Sequence, residues 1–379
     1  MKIGIITFHA SHNCGSLLQA FALQKTLFKL GFENEIINFI NKGSIEMYDV
    51  IPPIHPLRRG VRGRIIRWIK SINNYSILKK QAIFYDTFIK NYLRKTNTIY
   101  NTNQELKKEN FKYTHYITGS DQVWNINCFD ADTAYYLDFV KSGKKIAYAV
   151  STGATSIKES TNNLQLYTNL VKDFDAISVR EKNSVKQFQE MTGRKDIELL
   201  IDPTLLLTQN SWEKYFNLDK PIIQGNYIFY YAFHYSRAVN KTVMQIAEKT
   251  NMPVYIIEAR AWGPGGCKKD GIQLCKESGP IAFLNLMKYA NMVLTTSFHG
   301  TVFSVIFRKN FWFIDSDMHN AMDDRASTLL DQVGLPNRLI LGEKLLEKDF
   351  TEIPNYKSMD KIITELQNKS ISFLNKNLS

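Results

Sequence analysis

Several short segments of the chain carry side chains that can bind anions or transfer protons. Residues 178–184 (SVREKNS) contain Arg180, and residues 295–304 (TTSFHGTVFS) contain His299 beside Gly300. A guanidinium makes forked contacts with phosphate or carboxylate, and a histidine binds phosphate as the cation or transfers a proton. These residue types suit chemistry on a small anionic substrate. Salt bridging of Arg180 to a nearby acid, or core packing of His299, would explain the same residues without a ligand.

Residues 11–16 (SHNCGS) precede a predicted helix, and a helix N-terminus binds anions through its free N–H groups and its dipole. Gly15 would let the backbone approach a ligand closely, while Asn13 could equally be a simple N-cap. Arg325, in the run Asp323-Asp324-Arg325, could reach an anion or pair with its own aspartates.

Residues 119–125 (GSDQVWN) place Asp, Gln, Trp and Asn side chains directly after a predicted strand. Polar groups at such a position are costly to bury without partners. Asp121 could accept a proton, and Trp124 could stack on the face of a sugar. A capped turn anchored by Trp124 is the structural alternative. Residues 263–267 (GPGGC) predict a flexible loop that could act as a lid, but they lack a nucleotide-binding pattern.

The elements that must position these residues are short apolar runs alternating with helical segments, which predicts parallel sheets of the α/β class. Each polar segment follows such a run, and ligands of parallel sheets bind beyond the carboxyl ends of the strands. The predicted strands cover residues 3–8, 35–39, 115–118, 145–150, 175–179, 197–201, 227–233, 254–257, 292–296 and 311–314.

The strand signals fall into two sets separated by a polar stretch at 208–226. A length of 379 residues also favours two domains. We therefore expect an N-terminal domain over 1–215 with a basic helical insertion at about 51–100. A C-terminal domain over 216–379 would follow, with its last helix packing back on the first domain.

The chain carries 48 Lys and Arg against 36 Asp and Glu, a formal net charge of +12. Such a balance attracts anionic partners, but no nucleic-acid-binding signature accompanies it, so we expect no nucleic acid. The four cysteines are scattered and no Cys/His cluster predicts a metal site. Neither a signal peptide nor an apolar run of membrane-spanning length stands out. These features predict a cytoplasmic protein.

A basic segment stands apart from the sheet elements. Residues 51–85 contain no acid, and residues 58–70 interleave six cations with Val, Ile and Trp. A basic amphipathic helix of this kind can lie on an anionic membrane surface. The same pattern also suits a helix packed on the N-terminal domain or a contact with an acidic glycan.

Taken together, the polar segments resemble the polysaccharide pyruvyl transferase family. The resemblance rests on the run NCGSLLQAFAL from Asn13, on GSDQVWN from Gly119 and on SVREKNS from Ser178. The runs DPTLL from Asp202 and SFHGT from Ser297 complete it, so that it spans most of the chain.

The resemblance implies two Rossmann-like domains facing a cleft, in a GT-B-like architecture. It also implies transfer of the enolpyruvyl group of phosphoenolpyruvate to a sugar of a cell-surface glycan or its lipid-linked precursor, forming a pyruvate ketal. Phosphoenolpyruvate is then a co-substrate, and no separate cofactor is expected.

The expected roles follow from this chemistry. Arg180 and His299, at a solvent-accessible cleft, would hold the donor's anionic groups, and His299, Arg180 and Asp121 would form the catalytic set, with Asp121 as base. The donor site would also include Asn13, Gly15, Gly300 and Arg325. The acceptor would contact Gln122, Trp124 and Asn125.

Two other functions remain open. A GT-B glycosyltransferase that uses a nucleotide sugar would need an acid to grip the ribose, and Glu258 follows a predicted strand of the C-terminal half. A non-catalytic sensor would bind the anionic metabolite without turnover.

Overall fold

The computed structural model describes residues 2–51, 61–315 and 323–379, and in the helix that begins at Val61 it describes the side chains of 65, 66 and 68–73. Residues 58–60 of the predicted basic segment therefore lie outside the described residues. Within the described part, the chain forms two six-stranded sheets with helices between the strands, and every strand pairing is parallel.

The first sheet has the strand order β2-β1-β3-β4-β5-β6. Its strands are β1 (Lys2–Ile6), β2 (Glu33–Ile36), β3 (His115–Thr118), β4 (Lys144–Val150), β5 (Ala176–Val179) and β6 (Glu198–Leu199). The second sheet has the order β12-β11-β10-β7-β8-β9. Its strands are β7 (Ile228–Tyr231), β8 (Val254–Ile256), β9 (Gln273–Leu274), β10 (Met292–Thr295), β11 (Asn310–Asp315) and β12 (Leu339–Leu341).

Both orders are those of doubly wound sheets, in which the direction of winding reverses at one strand pair. The reversal falls between β1 and β3 in the first sheet and between β7 and β10 in the second. The predicted α/β class with two Rossmann-like domains is confirmed. Short apolar runs located ten of the twelve strands, whereas β9 and β12 were not predicted.

Helices connect most of the consecutive strands along the chain. They are α1 (Cys14–Lys29), α2 (Lys42–Tyr48), α3 (Val61–Asn73), α4 (Tyr75–Tyr92), α5 (Asn103–Lys108), α6 (Ile157–Ser160), α7 (Leu164–Lys172), α8 (Lys182–Thr192), α9 (Gln209–Phe216), α10 (Arg237–Thr250), α11 (Ala259–Trp262), α12 (Gly279–Tyr289), α13 (Phe298–Ile306), α14 (Arg325–Gln332) and α15 (Tyr356–Leu378).

Helices α4 and α15 connect the two halves. In α4, the Gln81 amide donates to the Ile257 carbonyl just after β8 (3.1 Å). In α15, the Gln367 amide donates to the Leu205 carbonyl (2.6 Å), and the Phe373 ring lies 6.3 Å from the Tyr148 ring of β4. One apolar core runs through both halves as a result, so the domains are packed together rather than loosely linked.

Helix α3 exposes its apolar side chains. Ile65, Ile69 and Ile72 lie one turn apart and are 40–46 % exposed, and Trp68 beside them is 37 % exposed. One alternative for the basic segment was that this apolar face packs on the N-terminal domain. The structure shows the face exposed instead. No helix among the described residues has the length and apolar character needed to cross a membrane.

Candidate active site

The carboxyl ends of β1, β3, β5 and β10 meet where the two sheets face each other. The contact is closest between Gly15, at the start of α1, and the His299 imidazole, at the start of α13. A Cβ atom on residue 15 would lie 2.1 Å from His299 Nδ1, far inside van der Waals contact. Only glycine lets α1 approach the imidazole in this way. The site therefore joins the winding reversals of both sheets.

Arg180 lies at the centre of a buried ion cluster that follows β5. Its Nη1 donates to Asp202 Oδ2 (2.8 Å), Nη2 to Asp121 Oδ1 (3.3 Å) and Nε to Glu181 Oε1 (3.3 Å). Its side chain is only 1 % exposed, and the Phe298 ring of the second domain covers it at 4.3 Å. The cluster belongs to the first domain and is closed by the second.

The two aspartates of this cluster stay ionised. Burial alone would raise the pKa of Asp202, but the charges of His299 and Arg180 and the hydrogen bond from Thr204 hold that pKa well below its usual range. The pKa of Asp121 is also lowered: burial opposes this, but Arg180, His299 and the Ser16 hydroxyl (2.5 Å) outweigh it. Both carboxylates are thus weak bases and act mainly as fixed negative charges.

Glu181 behaves differently. Its side chain is fully buried, and burial raises its pKa to about 7 against the opposing influence of Arg180. It accepts hydrogen bonds from Arg180 and from the Ser184 hydroxyl (3.1 Å). A carboxyl group with this pKa changes charge near neutral pH, as general acids do.

His299 has an open hydrogen-bonding position. Its side chain is 9 % exposed, and Nε2 lies 3.5 Å from Asp202 Oδ2 without hydrogen-bond geometry. Among the described residues, Nε2 has no hydrogen-bond partner. Buried polar atoms are nearly always satisfied, so this nitrogen marks a position where a ligand atom would bind.

Arg325 lies next to the same cluster at the start of α14. Its guanidinium forms a bidentate ion pair with Asp323 (2.7 and 2.6 Å), the pairing with a neighbouring aspartate that the sequence left open. The side chain remains 20 % exposed. Asp324 accepts from the Asn183 backbone N–H of α8 (2.9 Å), which joins the second domain to the first beside Glu181.

The structure corrects one expectation about exposure. Arg180 and His299 do not line a solvent-accessible cleft, since both side chains are at least nine-tenths buried. All three nitrogens of Arg180 are paired with carboxylates, so it does not offer a free fork to the donor. His299 keeps one open nitrogen.

The predicted acceptor contacts also change. Trp124 is fully buried, stacks on Tyr136 and donates to the Tyr135 carbonyl (3.0 Å), so it anchors its turn and cannot stack on a sugar. The Gln122 and Asn125 amides bind each other (2.9 Å), and Asn125 also accepts from the Thr155 hydroxyl (2.6 Å). These contacts stabilise the loop after β3.

Two smaller positions are local in character. Asn13 accepts from the Ser16 N–H (3.2 Å) and so caps α1. A Cβ on Gly300 would lie 2.0 Å from the Thr295 hydroxyl, which fixes the turn from β10 into α13. Their predicted contacts with a donor remain predictions.

The sequence interpretation did not assign roles to Asp202 or Glu181. Both follow predicted strands inside the quoted runs DPTLL and SVREKNS, so their position was visible but their burial was not. The role of Asp202 in the cluster depends on a contact across 22 residues, with Arg180. No group of three or more His, Cys, Asp or Glu among the described residues is arranged to hold a metal.

Two doubly wound domains that meet over one cluster of ionisable side chains define a GT-B-like α/β protein. The model of the polysaccharide pyruvyl transferase family matches residues 13–318, most of the chain. This protein belongs to that family. The match includes every segment on which the sequence resemblance rests.

Three of the solved structures with a similar backbone are the following. The S. aureus MnaA–UDP structure has a TM-score of 0.49 at 13 % identity and covers 97 % of this chain and 96 % of its own. The Methanocaldococcus jannaschii UDP-GlcNAc 2-epimerase with UDP-GlcNAc and UDP has a TM-score of 0.47 at 15 % identity and covers 97 % of this chain and 100 % of its own. The E. coli heptosyltransferase WaaC with ADP has a TM-score of 0.40 at 11 % identity and covers 97 % of this chain and 100 % of its own. Similarity at this level says nothing about ligands. No curated protein matches the chain significantly.

Proposed function

We propose that this protein transfers the enolpyruvyl group of phosphoenolpyruvate to a sugar of a cell-surface glycan or its lipid-linked precursor and leaves a pyruvate ketal. Family membership supports a pyruvyl transferase. The observation that carries the choice of donor is His299 Nε2, a buried nitrogen without a partner among the described residues.

An anion at His299 would be held by several groups at once. The first N–H groups of α1 and α13 have no intrahelical partners, and both helices begin at the Gly15–His299 contact. Arg325 adds a cation that is still partly exposed. Arg180 then serves to position Asp121 and Asp202 beneath the imidazole. Asp202 Oδ2 lies 3.5 Å from the imidazole Nε2.

The reaction needs one proton delivered to carbon and two removed from hydroxyls. Protonation of the donor methylene makes the enol carbon electrophilic, and one sugar hydroxyl adds to it with loss of its proton. A second hydroxyl then forms the other C–O bond as the C–O bond to phosphate breaks. One hydroxyl proton balances the proton given to the methylene, and the other leaves with phosphate. Glu181, with a pKa of about 7, is suited to hold the first proton.

The nucleotide-sugar alternative requires Glu258 to grip a ribose. In the structure, Glu258 instead accepts from the Tyr85 hydroxyl (3.2 Å) and the Gln81 amide (3.3 Å) of α4. This pairing ties Glu258 to the first domain, so the choice between the two donors falls to the binding experiment.

Titration calorimetry with phosphoenolpyruvate and with UDP, GDP and CMP sugars tests the donor. We expect phosphoenolpyruvate to bind and phosphate to be released only with a glycan acceptor present. His299→Asn should lower turnover at least 100-fold, the cost typical of a lost contact to a developing charge. The matched control is His115→Asn at the amino end of β3, the opposite edge of the sheet. Tight binding of a nucleotide sugar without binding of phosphoenolpyruvate would refute the proposal.

We also propose that the protein works in the cytoplasm and touches the inner membrane surface through α3. The exposed Ile65, Trp68, Ile69 and Ile72 would enter the headgroup boundary, and Arg62, Arg64, Arg67 and Lys70 supply cations for anionic lipids. Each cation near such a surface contributes about 1 kcal/mol, so docking would be weak and salt-sensitive.

Vesicle co-sedimentation tests the membrane contact. The parent should sediment with anionic vesicles at low salt, dissociate at high salt and ignore neutral vesicles. Replacing Ile65, Trp68 and Ile69 by Ser should abolish sedimentation, whereas Ile353→Ser, at a site 67 % exposed elsewhere, should not. If the parent stays in the supernatant at low salt, the membrane proposal is wrong. A change of oligomeric state in the triple variant would assign the face to a second copy instead.

A further inference from the structure

A cavity of about 170 Å³ lies between the first domain and the start of α11. Its walls include His12, Tyr48, Gln81 and Tyr85 of the first domain and Glu258 and Arg260 of the second. The volume exceeds by about tenfold the roughly 15 Å³ that admits one water. The cavity therefore has room for a small ring-shaped ligand.

The walls of the cavity combine apolar and polar surface. The His12 and Tyr85 rings stack at 5.2 Å and 12°, and Leu78 and Ala82 of α4 add aliphatic surface. The Glu258 carboxylate stands at the cavity's second-domain side. Polar and apolar groups contribute about equally to the walls, so the cavity is more polar than a typical pocket for a drug-sized ligand. A sugar ring, with C–H faces and a rim of hydroxyls, matches both kinds of surface.

Glu258 is held in place and keeps acceptor capacity. Tyr85 donates to one carboxylate oxygen and Gln81 to the other, while Gln81 also accepts from the Ala259 N–H (3.1 Å). A carboxylate has about four acceptor positions, so two remain after these contacts. Sugar hydroxyls are the donors that such positions bind.

The cavity adjoins the donor position. The Tyr85 hydroxyl lies 3.3 Å from Cys14 Sγ, and the next residue, Gly15, packs on the His299 imidazole. The three residues from His12 to Gly15 span at most about 11 Å. A ring in the cavity would thus lie no more than about this span from the residue that packs on the His299 imidazole.

We infer that this cavity is the acceptor subsite, which holds one pyranose ring of the glycan with its hydroxyls on Glu258 and its apolar edge against His12 and Tyr85. The inference rests on the proposed function and replaces the acceptor contacts expected from Gln122, Trp124 and Asn125.

Filling the cavity tests the inference. Ala82→Phe projects a ring into the cavity, and Ile83→Phe is the matched control because residue 83 is 55 % exposed on the same helix and does not line the cavity. Saturation-transfer NMR with the methyl glycosides of glucose, galactose and N-acetylglucosamine should show binding of at least one to the parent and to Ile83→Phe. Ala82→Phe should weaken that binding at least tenfold.

A second variant keeps the test decisive if Ala82→Phe folds poorly. Glu258→Gln preserves size and the contact with Tyr85, and it should weaken glycoside binding several-fold while leaving phosphoenolpyruvate binding unchanged. Failure of every glycoside to bind the parent, or equal binding by all variants, overturns the inference. Failure of phosphoenolpyruvate alone to bind counts against the proposed donor and leaves the glycoside result standing.

Discussion

Replacing Arg180 by Ala should destabilise the fold strongly. The change removes three charge-assisted hydrogen bonds and leaves Asp121, Glu181 and Asp202 buried without their cation. Breaking a buried ion pair by removing one partner typically costs about 3–5 kcal/mol. With an unfolding entropy of about 0.8 kcal/mol per kelvin for a chain of this length, the melting temperature should fall by about 4–6 °C.

The loss should also depend on pH. In the parent, the lowered pKa values of Asp121 and Asp202 contribute stability that is present above about pH 4 and lost as the pH falls through the folded values. Arg180 is the largest influence that lowers the pKa of Asp121, so without it burial would raise that pKa and stability would then fall as the pH rises. The gap between parent and variant should therefore widen from pH 4.5 to pH 8.

Thermal melting followed by circular dichroism at these two pH values measures both effects. Arg308→Ala is the matched control, because Arg308 forms an exposed ion pair with Asp360, 52 % exposed on each side, and such pairs contribute at most about 1 kcal/mol. A drop in Arg180→Ala no larger than in the control, or independent of pH, would show that the cluster does not hold the fold together.

Three further outcomes are expected. Gly15→Ala should lower turnover at least tenfold with a small loss of stability, measured as phosphate release, because its Cβ displaces the His299 imidazole; unchanged turnover would contradict the close contact. Burial raises the pKa of Glu181 to about 7, so between about pH 4.5 and 7 the folded form alone keeps the proton and stability declines as the pH rises, by up to about 3 kcal/mol. Glu181→Gln should remove this decline, measured by denaturant titration across that range. An unaltered slope would argue against the raised pKa. Trp124→Ala should cost about 3–5 kcal/mol of unfolding free energy, as for core tryptophans. A near-neutral effect would contradict the burial of this side chain.

Apolar runs predicted the sheets well because buried parallel strands bury both faces. The run at 115–118 matches β3 at both ends, and α1 begins at Cys14, inside the segment 11–16 that was expected to precede it. The polar segments were also placed correctly at the carboxyl ends of strands, since parallel topology alone fixes that edge. The class and the family both follow from such local patterns.

The state of each side chain was not predictable in the same way. Arg180 could pair with acids or bind a ligand, and the decision depends on Asp202 and Asp121, which only folding brings near it. The sequence predicted that Trp124 stacks on a sugar, but the Tyr136 ring, 12 residues later, stacks on its face instead. Long-range packing decides such cases, and a single sequence does not encode it in any local spacing.

The long helix α15 has a consequence for how the chain can fold during synthesis. Phe373, Leu374 and Leu378 belong to the same apolar core as Ile3 and Tyr148 of the first sheet. The first domain therefore lacks part of its interior until residues 356–378 have left the ribosome. We expect the nascent N-terminal half to remain incomplete and dependent on chaperones until then, so that the two halves mature as one unit rather than in sequence.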